Sequence, residues 1–174
     1  TYLDEVALSG FEWTELGPFG YLPTDSETVR SELARRSLKL VGITITLPLE
    51  EPGVDQEIER RLTPICTLVR DLGARFIVLF GDFYDEFGTT NLRKPRRLDD
   101  EAWRRLVERT NNVGRYVHGF DLRLAFHPHA GTHVEYEDQI ETLMSETDTE
   151  VVGLCFDTGH HAYCGGDVIG FMAK

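Results

Sequence analysis

The sequence predicts an α/β protein built on a parallel sheet, a partial (β/α)8 barrel. Three observations lead there. Short apolar runs alternate with helical periodicities along the whole chain. Each pair of runs is separated by enough residues for a right-handed helical crossover. The 174 residues then fall short, by roughly three βα units, of the ~250 that a closed barrel usually takes. An open doubly wound sheet is the alternative, but no GxGxxG or phosphate-loop glycine pattern follows the first strand. A single domain over residues 1–174 is expected, cut at both ends and lacking the first and last βα units.

The elements follow in order. Tyr2 to Leu8 reads as a helix closed by Gly10, and Phe11 to Glu15 as the first strand. Thr24-Asp25-Ser26-Glu27 fits a capping box in which Thr24 and Glu27 satisfy free amide donors reciprocally. Val29 and Leu33 give the next helix its apolar stripe. Leu40 to Leu47 is rich in β-branched residues and stops at Pro48, where a backbone donor is lost. Ile58, Leu62, Ile65, Val69 and Leu72 keep a helical period, with Gly73 as C-terminal cap and Pro64 as an expected kink or break. Phe76 to Phe80 is a strand buried on both faces. Trp103, Leu106, Val107, Thr110, Val113 and Val117 line the helix after it. Leu122 to Phe126, a helix bearing Ile140, Leu143 and Met144, and Val151 to Phe156 complete five strands. Asp167 caps a last helix.

Composition narrows the function. Acids outnumber bases 30 to 18, a net charge of −12, which disfavours a nucleic-acid partner because phosphates are bound by concentrated Lys and Arg. The dense basic run Arg93-Lys94-Pro95-Arg96-Arg97 reads as a solvated loop, or as an anchor for an anionic ligand or neighbouring subunit. No apolar run of 18 residues and no basic-then-apolar leader is present, so no membrane association and a cytoplasmic location are expected. Cys66, Cys155 and Cys164 lack CxxC spacing and fit a reducing compartment. Cys164 falls in the suspected site loop and receives no role.

In parallel α/β sheets, chemistry gathers at the carboxyl ends of the strands. There the sequence puts Glu15, then Thr44 and Thr46. Gly81-Asp82 opens a loop running to about Leu98, long enough to suggest a lid or binding segment. His127-Pro128-His129 and Gly131-Thr132-His133-Val134-Glu135 follow the fourth strand, and Asp157 and His160 the fifth. Five of the six histidines lie between 127 and 161; His118 sits apart on a helix. Side chains alternate along a strand, so His127 and His129 point the same way. If the fourth and fifth strands are neighbours, either can meet Asp157 around one ion, since Asp and His both offer lone pairs to a divalent metal. The plainer alternatives are an Asp157 that caps a turn, and a Glu135, Glu15 or Asp82 that merely begins a helix. No GxSxG elbow supports a serine triad.

Three motifs together, Thr14-Glu15-Leu16-Gly17-Pro18-Phe19-Gly20-Tyr21-Leu22-Pro23, His127 through Glu135, and Asp157-Thr158-Gly159-His160, resemble inosose dehydratase-like proteins. These belong to the xylose isomerase-like, sugar phosphate isomerase/epimerase superfamily of TIM barrels. The resemblance implies a divalent metal, manganese or cobalt before zinc or magnesium, and elimination of water from a keto-inositol. It matches Asp157 to a metal-ligating aspartate and puts His127 where many relatives carry a glutamate. The ligand is then His127 itself or Glu135 folding back. Further ligands would come from strands beyond Lys174.

The expectation is a metal-dependent lyase or isomerase acting on a polyhydroxylated ketone. Its metal ligands are Asp157, His127 and Glu135; His129 is an acid/base group, and His160 positions substrate or metal. Glu15 and Asp82 bind sugar hydroxyls. A non-catalytic polyol-binding module or inactive fragment is the rival, and abasic-site nuclease activity a third reading that the acidic surface opposes. A small polyol is the expected partner, with a homo-oligomer anticipated if apolar strand edges lie open.

Overall fold

A computed structural model describes residues 1–86 and 91–174. The element order is α1 (Tyr2–Leu8), β1 (Trp13–Pro18), α2 (Ser26–Ala34), β2 (Lys39–Leu47), α3 (Asp55–Asp71), β3 (Phe76–Gly81), α4 (Asp100–His118), β4 (Arg123–Phe126), α5 (Glu137–Glu146), β5 (Val152–Leu154), α6 (Thr158–Tyr163) and α7 (Val168–Met172). All four strand pairings are parallel and the spatial order is β1-β2-β3-β4-β5. A doubly wound sheet reverses its strand order at a switch point. This one never reverses, and right-handed crossovers then put the four connecting helices, α2 to α5, on the same face. The sheet is a segment of barrel wall.

Strand alternation divides that wall by chemistry. Ile43, Ile45 and Leu47 of β2, Ile77 and Leu79 of β3, and Leu124 and Phe126 of β4 are buried towards the helices. With Leu62, Val69, Leu106 and Val117 they form the core. The opposite parity carries Thr44, Thr46, Phe80 and His127 on the inner face, where burial is only partial. Gly42 is required by close approach: a Cβ there would lie 2.2 Å from the Phe76 carbonyl oxygen across the β2–β3 pair.

Some boundaries differ from those expected. The strand predicted over Phe11 to Glu15 starts at Trp13 and continues to Pro18, with register shifts on both sides of Glu15. The capping residue of α2 is Asp25, not Thr24: its carboxylate accepts from the Thr28 N–H at 2.8 Å and the Thr28 hydroxyl at 2.7 Å. A charged acceptor at a helix N-terminus gains from the dipole as well as the hydrogen bond. Helix α3 runs through Pro64 without a break. Pro64 is exposed, so water can serve the carbonyl that loses its donor, while buried Leu62, Ile65 and Val69 anchor both flanks. Gly73 caps α3 at φ +73°, as expected. The fifth strand is shorter than the apolar run that predicted it.

Candidate active site

The carboxyl ends of β4 and β5 bring three imidazoles together. One ring nitrogen each of His127, His129 and His160 lies within 4.8 Å of the others. The His129 and His160 rings are 3.7 Å apart between centroids, and His127 stands 5.5 Å and 5.4 Å from them. Two aromatic side chains fix the group. Phe80, from the inner face of β3, stacks on His129 at 4.8 Å, and Phe83 meets the same ring edge-on at 5.2 Å.

Hydrogen bonds select the tautomers. His127 Nδ1 faces the Cys155 carbonyl oxygen at 3.3 Å, and His129 Nδ1 faces the Ala130 carbonyl oxygen at 2.7 Å. A carbonyl only accepts, so each Nδ1 carries the proton and each Nε2 keeps a free lone pair. Carbonyl-anchored imidazoles of this kind are how proteins orient metal ligands and general bases. Burial pushes all three imidazoles below the ordinary histidine range, which favours the neutral, lone-pair-bearing form.

Asp157 is placed beside this group as the N-cap of α6, its carboxylate accepting from the His160 N–H at 2.8 Å. Burial acts to raise its carboxyl, but the His160 N–H and the His160 and His127 charges outweigh that and hold it below the usual range. Glu15 lies on β1 and accepts from the Thr44 hydroxyl at 2.6 Å. Thr44 has inner-face parity, so this bond puts the Glu15 carboxylate on the site side of the sheet. Glu135 lies outside the histidine group. It is buried, its Oε1 accepting from the Tyr84 hydroxyl at 2.7 Å and its Oε2 from the Gly131 N–H at 2.8 Å.

Asp82 belongs to a second polar group, at the ends of β2 and β3. There Lys94 pairs with Glu50 at 2.6 Å and Glu51 at 2.8 Å and approaches Asp82 to 3.9 Å. Burial raises the Asp82 carboxyl above the usual range. The basic run 93–97 is thus largely spent within the molecule: Lys94 as above, Arg96 over the Tyr84 ring and Arg97 on Asp138. Tyr84, Glu50 and Phe80 had no sequence signal of their own. The long loop after β3 pointed to the neighbourhood of Tyr84, but distance alone identifies the three.

Known proteins share this architecture. A family model described as xylose isomerase-like TIM barrel matches residues 3–174. The chain is 28% identical over 174 residues to an inosose dehydratase of Bacillus licheniformis, covering 99% of this chain and 57% of that protein. It is 36% identical over 176 residues to the rhizopine catabolism protein MocC of Rhizobium meliloti, covering 99% and 52%. The chain thus spans little more than half the length of these relatives. Among solved structures, the IOLI protein with a bound zinc atom superposes with a TM-score of 0.78 at 13% identity, over 99% of this chain and 62% of that one. A family 2 AP endonuclease from Brucella melitensis gives 0.79 at 15% identity, over 99% and 68%.

Proposed function

Since this chain belongs to the xylose isomerase-like TIM barrel family, we propose that its β4 and β5 strand ends serve a divalent metal centre acting on a polyhydroxylated ketone. Dehydration of a keto-inositol is the reaction we favour. The observation that carries this is the convergence of His127, His129 and His160 with free lone pairs on at least two rings. The curated relatives named inosose dehydratase support the reaction class.

The donor set fits a divalent cation. His127 and His160 would hold it, with Asp157 as the neighbouring carboxylate. Imidazole ligands favour cobalt or zinc over the harder manganese. When bound, the cation supplies polarisation of the substrate carbonyl. The chain's residues do the rest. His129 Nε2 takes the proton α to the carbonyl, a role suited to a neutral imidazole whose ring is clamped by Phe80 and Phe83, and the imidazolium so formed gives that proton to the departing β-hydroxyl, which leaves as water. Glu15, within β1, and Asp82, just after β3, bind substrate hydroxyls. Partial burial of the inner face limits water around the reacting carbon.

Elemental analysis of the purified protein tests the centre. About one equivalent of cobalt or zinc is expected, lost in Asp157→Ala and in His127→Ala; a metal-free protein after supplementation would remove the proposal. His129→Ala should keep its metal and lose turnover by at least ~100-fold. Loss of metal instead would make His129 a ligand. Incubation with a keto-inositol, read by mass spectrometry, separates the chemistries: dehydration gives a product lighter by one water, isomerisation one of unchanged mass.

A further inference from the structure

Glu135 ties together three separate strand-end loops. Its Oε1 accepts from Tyr84 in the loop after β3, and its Oε2 from the Gly131 N–H in the loop after β4. The Cys164 thiol, at the end of α6, donates to the same Oε2 at 3.8 Å. Two of these loops carry site histidines: His129 lies two residues before Gly131, and His160 lies on α6, whose C-terminal cap is Cys164. The third carries Phe83, the ring that meets His129 edge-on. The backbone reinforces the link, since the Tyr84 N–H donates to the Gly131 carbonyl at 3.0 Å.

We propose that Glu135 is a positioning residue, a buried carboxylate that sets His129 and His160 at their observed separation by holding Tyr84, Gly131 and Cys164. It rests on the metal-site reading only for what the histidines are used for. A carboxylate suits this task because it accepts along several lone-pair directions while donating nothing. All three partners are donors. Burial, reinforced by Glu135 itself, keeps the Tyr84 phenol and the Cys164 thiol protonated, the thiol pushed up to about 11. Charge-assisted hydrogen bonds in a buried setting are stronger than neutral ones, so one side chain can brace three loops. The arrangement also gives Cys164 a function without any nucleophilic chemistry.

The test reads the histidine rings themselves, in metal-free protein with 15N-labelled histidine. Tyr84→Phe removes one donor, and Cys164→Ala another, without adding bulk. We expect Tyr84→Phe to shift the His129 ring signals and Cys164→Ala those of His160, with His118 unmoved in both. Cys164→Ser, which restores a donor, should return the His160 signals towards wild type. Unchanged His129 and His160 signals in both variants would overturn the proposal, whether or not the protein binds metal. Failure to bind cobalt in the wild type would sink the metal reading alone. Where cobalt binds, Glu135→Gln should weaken it ~10-fold at unchanged stoichiometry. Unchanged cobalt affinity in Glu135→Gln would end the positioning role.

Discussion

Among the single residues whose ionisation is tied to the fold, Glu50 is the clearest case. It is buried, its Oε1 meeting Lys94 at 2.6 Å and His133 at 3.5 Å. Burial works to raise this carboxyl, yet His133 and Lys94 hold it at about 2, against 4.5 for an unperturbed glutamate. A folded pKa below the unfolded one contributes stability above pH ~4.5, lost as pH falls towards 2. The shift corresponds to a contribution on the order of 3 kcal/mol. Glu50→Gln should therefore lower the urea midpoint at pH 7 and make little difference at pH 2. Equal destabilisation at both would assign the effect to packing. The site histidines add a second window. Their folded pKa values lie below 6.5, so metal-free protein should lose stability as pH falls through 6.5, because the unfolded chain then binds more protons. Replacing His127 with Phe should flatten that part of the profile.

At the scale of elements, α4 lies close to the sheet because Gly114 has no side chain. A Cβ there would come within 2.9 Å of the Val151 carbonyl and 3.1 Å of the Val151 and Val152 methyls. Alanine gains about 1 kcal/mol of helix propensity over glycine, whereas overpacking against backbone costs about 1–3 kcal/mol. Gly114→Ala should therefore be destabilising by about 1 kcal/mol; a raised melting temperature would show that α4 can move away. The elements themselves were readable in the sequence because burial on the helix side imposes its period: Ile58, Leu62, Ile65 and Val69 are all buried as their spacing requires. Local signals ranked by type alone were less secure. Asp25 displaced Thr24 because two adequate caps stood side by side, and Pro64 was tolerated because it faces solvent. The convergence of His127, His129 and His160 was readable where it follows strand parity and strand ends. The arrangement was not readable where one long side chain chooses among neighbours. Glu135, equally near in sequence, turns to Tyr84 and Gly131, a choice fixed by loops folding back across β3 and β4.

Over the whole molecule, the net charge of −12 predicts weak contact with polyanions despite the fold shared with an AP endonuclease. The structure strengthens that expectation, since Lys94 and Arg97 are engaged by acids of the same chain. Fluorescence anisotropy with an abasic duplex at ~150 mM salt should show no saturable binding in the micromolar range, where non-specific binding typically begins. Saturation there would reopen the nuclease reading. Among the described residues no helix is long and apolar enough to cross a membrane. The uninterrupted strand order also bears on how the chain reaches its native state. Every strand pairs with the one synthesised just before it, so the sheet can grow in the order of translation, with few distant searches. The widest gap is at β3–β4, where Phe76 must find Arg123 across α4 and the segment that carries Tyr84 and Lys94. Loop closure grows costlier by about 0.6 kcal/mol per doubling of length, so this junction should be the slowest to zip. The segment that furnishes the mouth of the barrel is then also the one that delays its assembly.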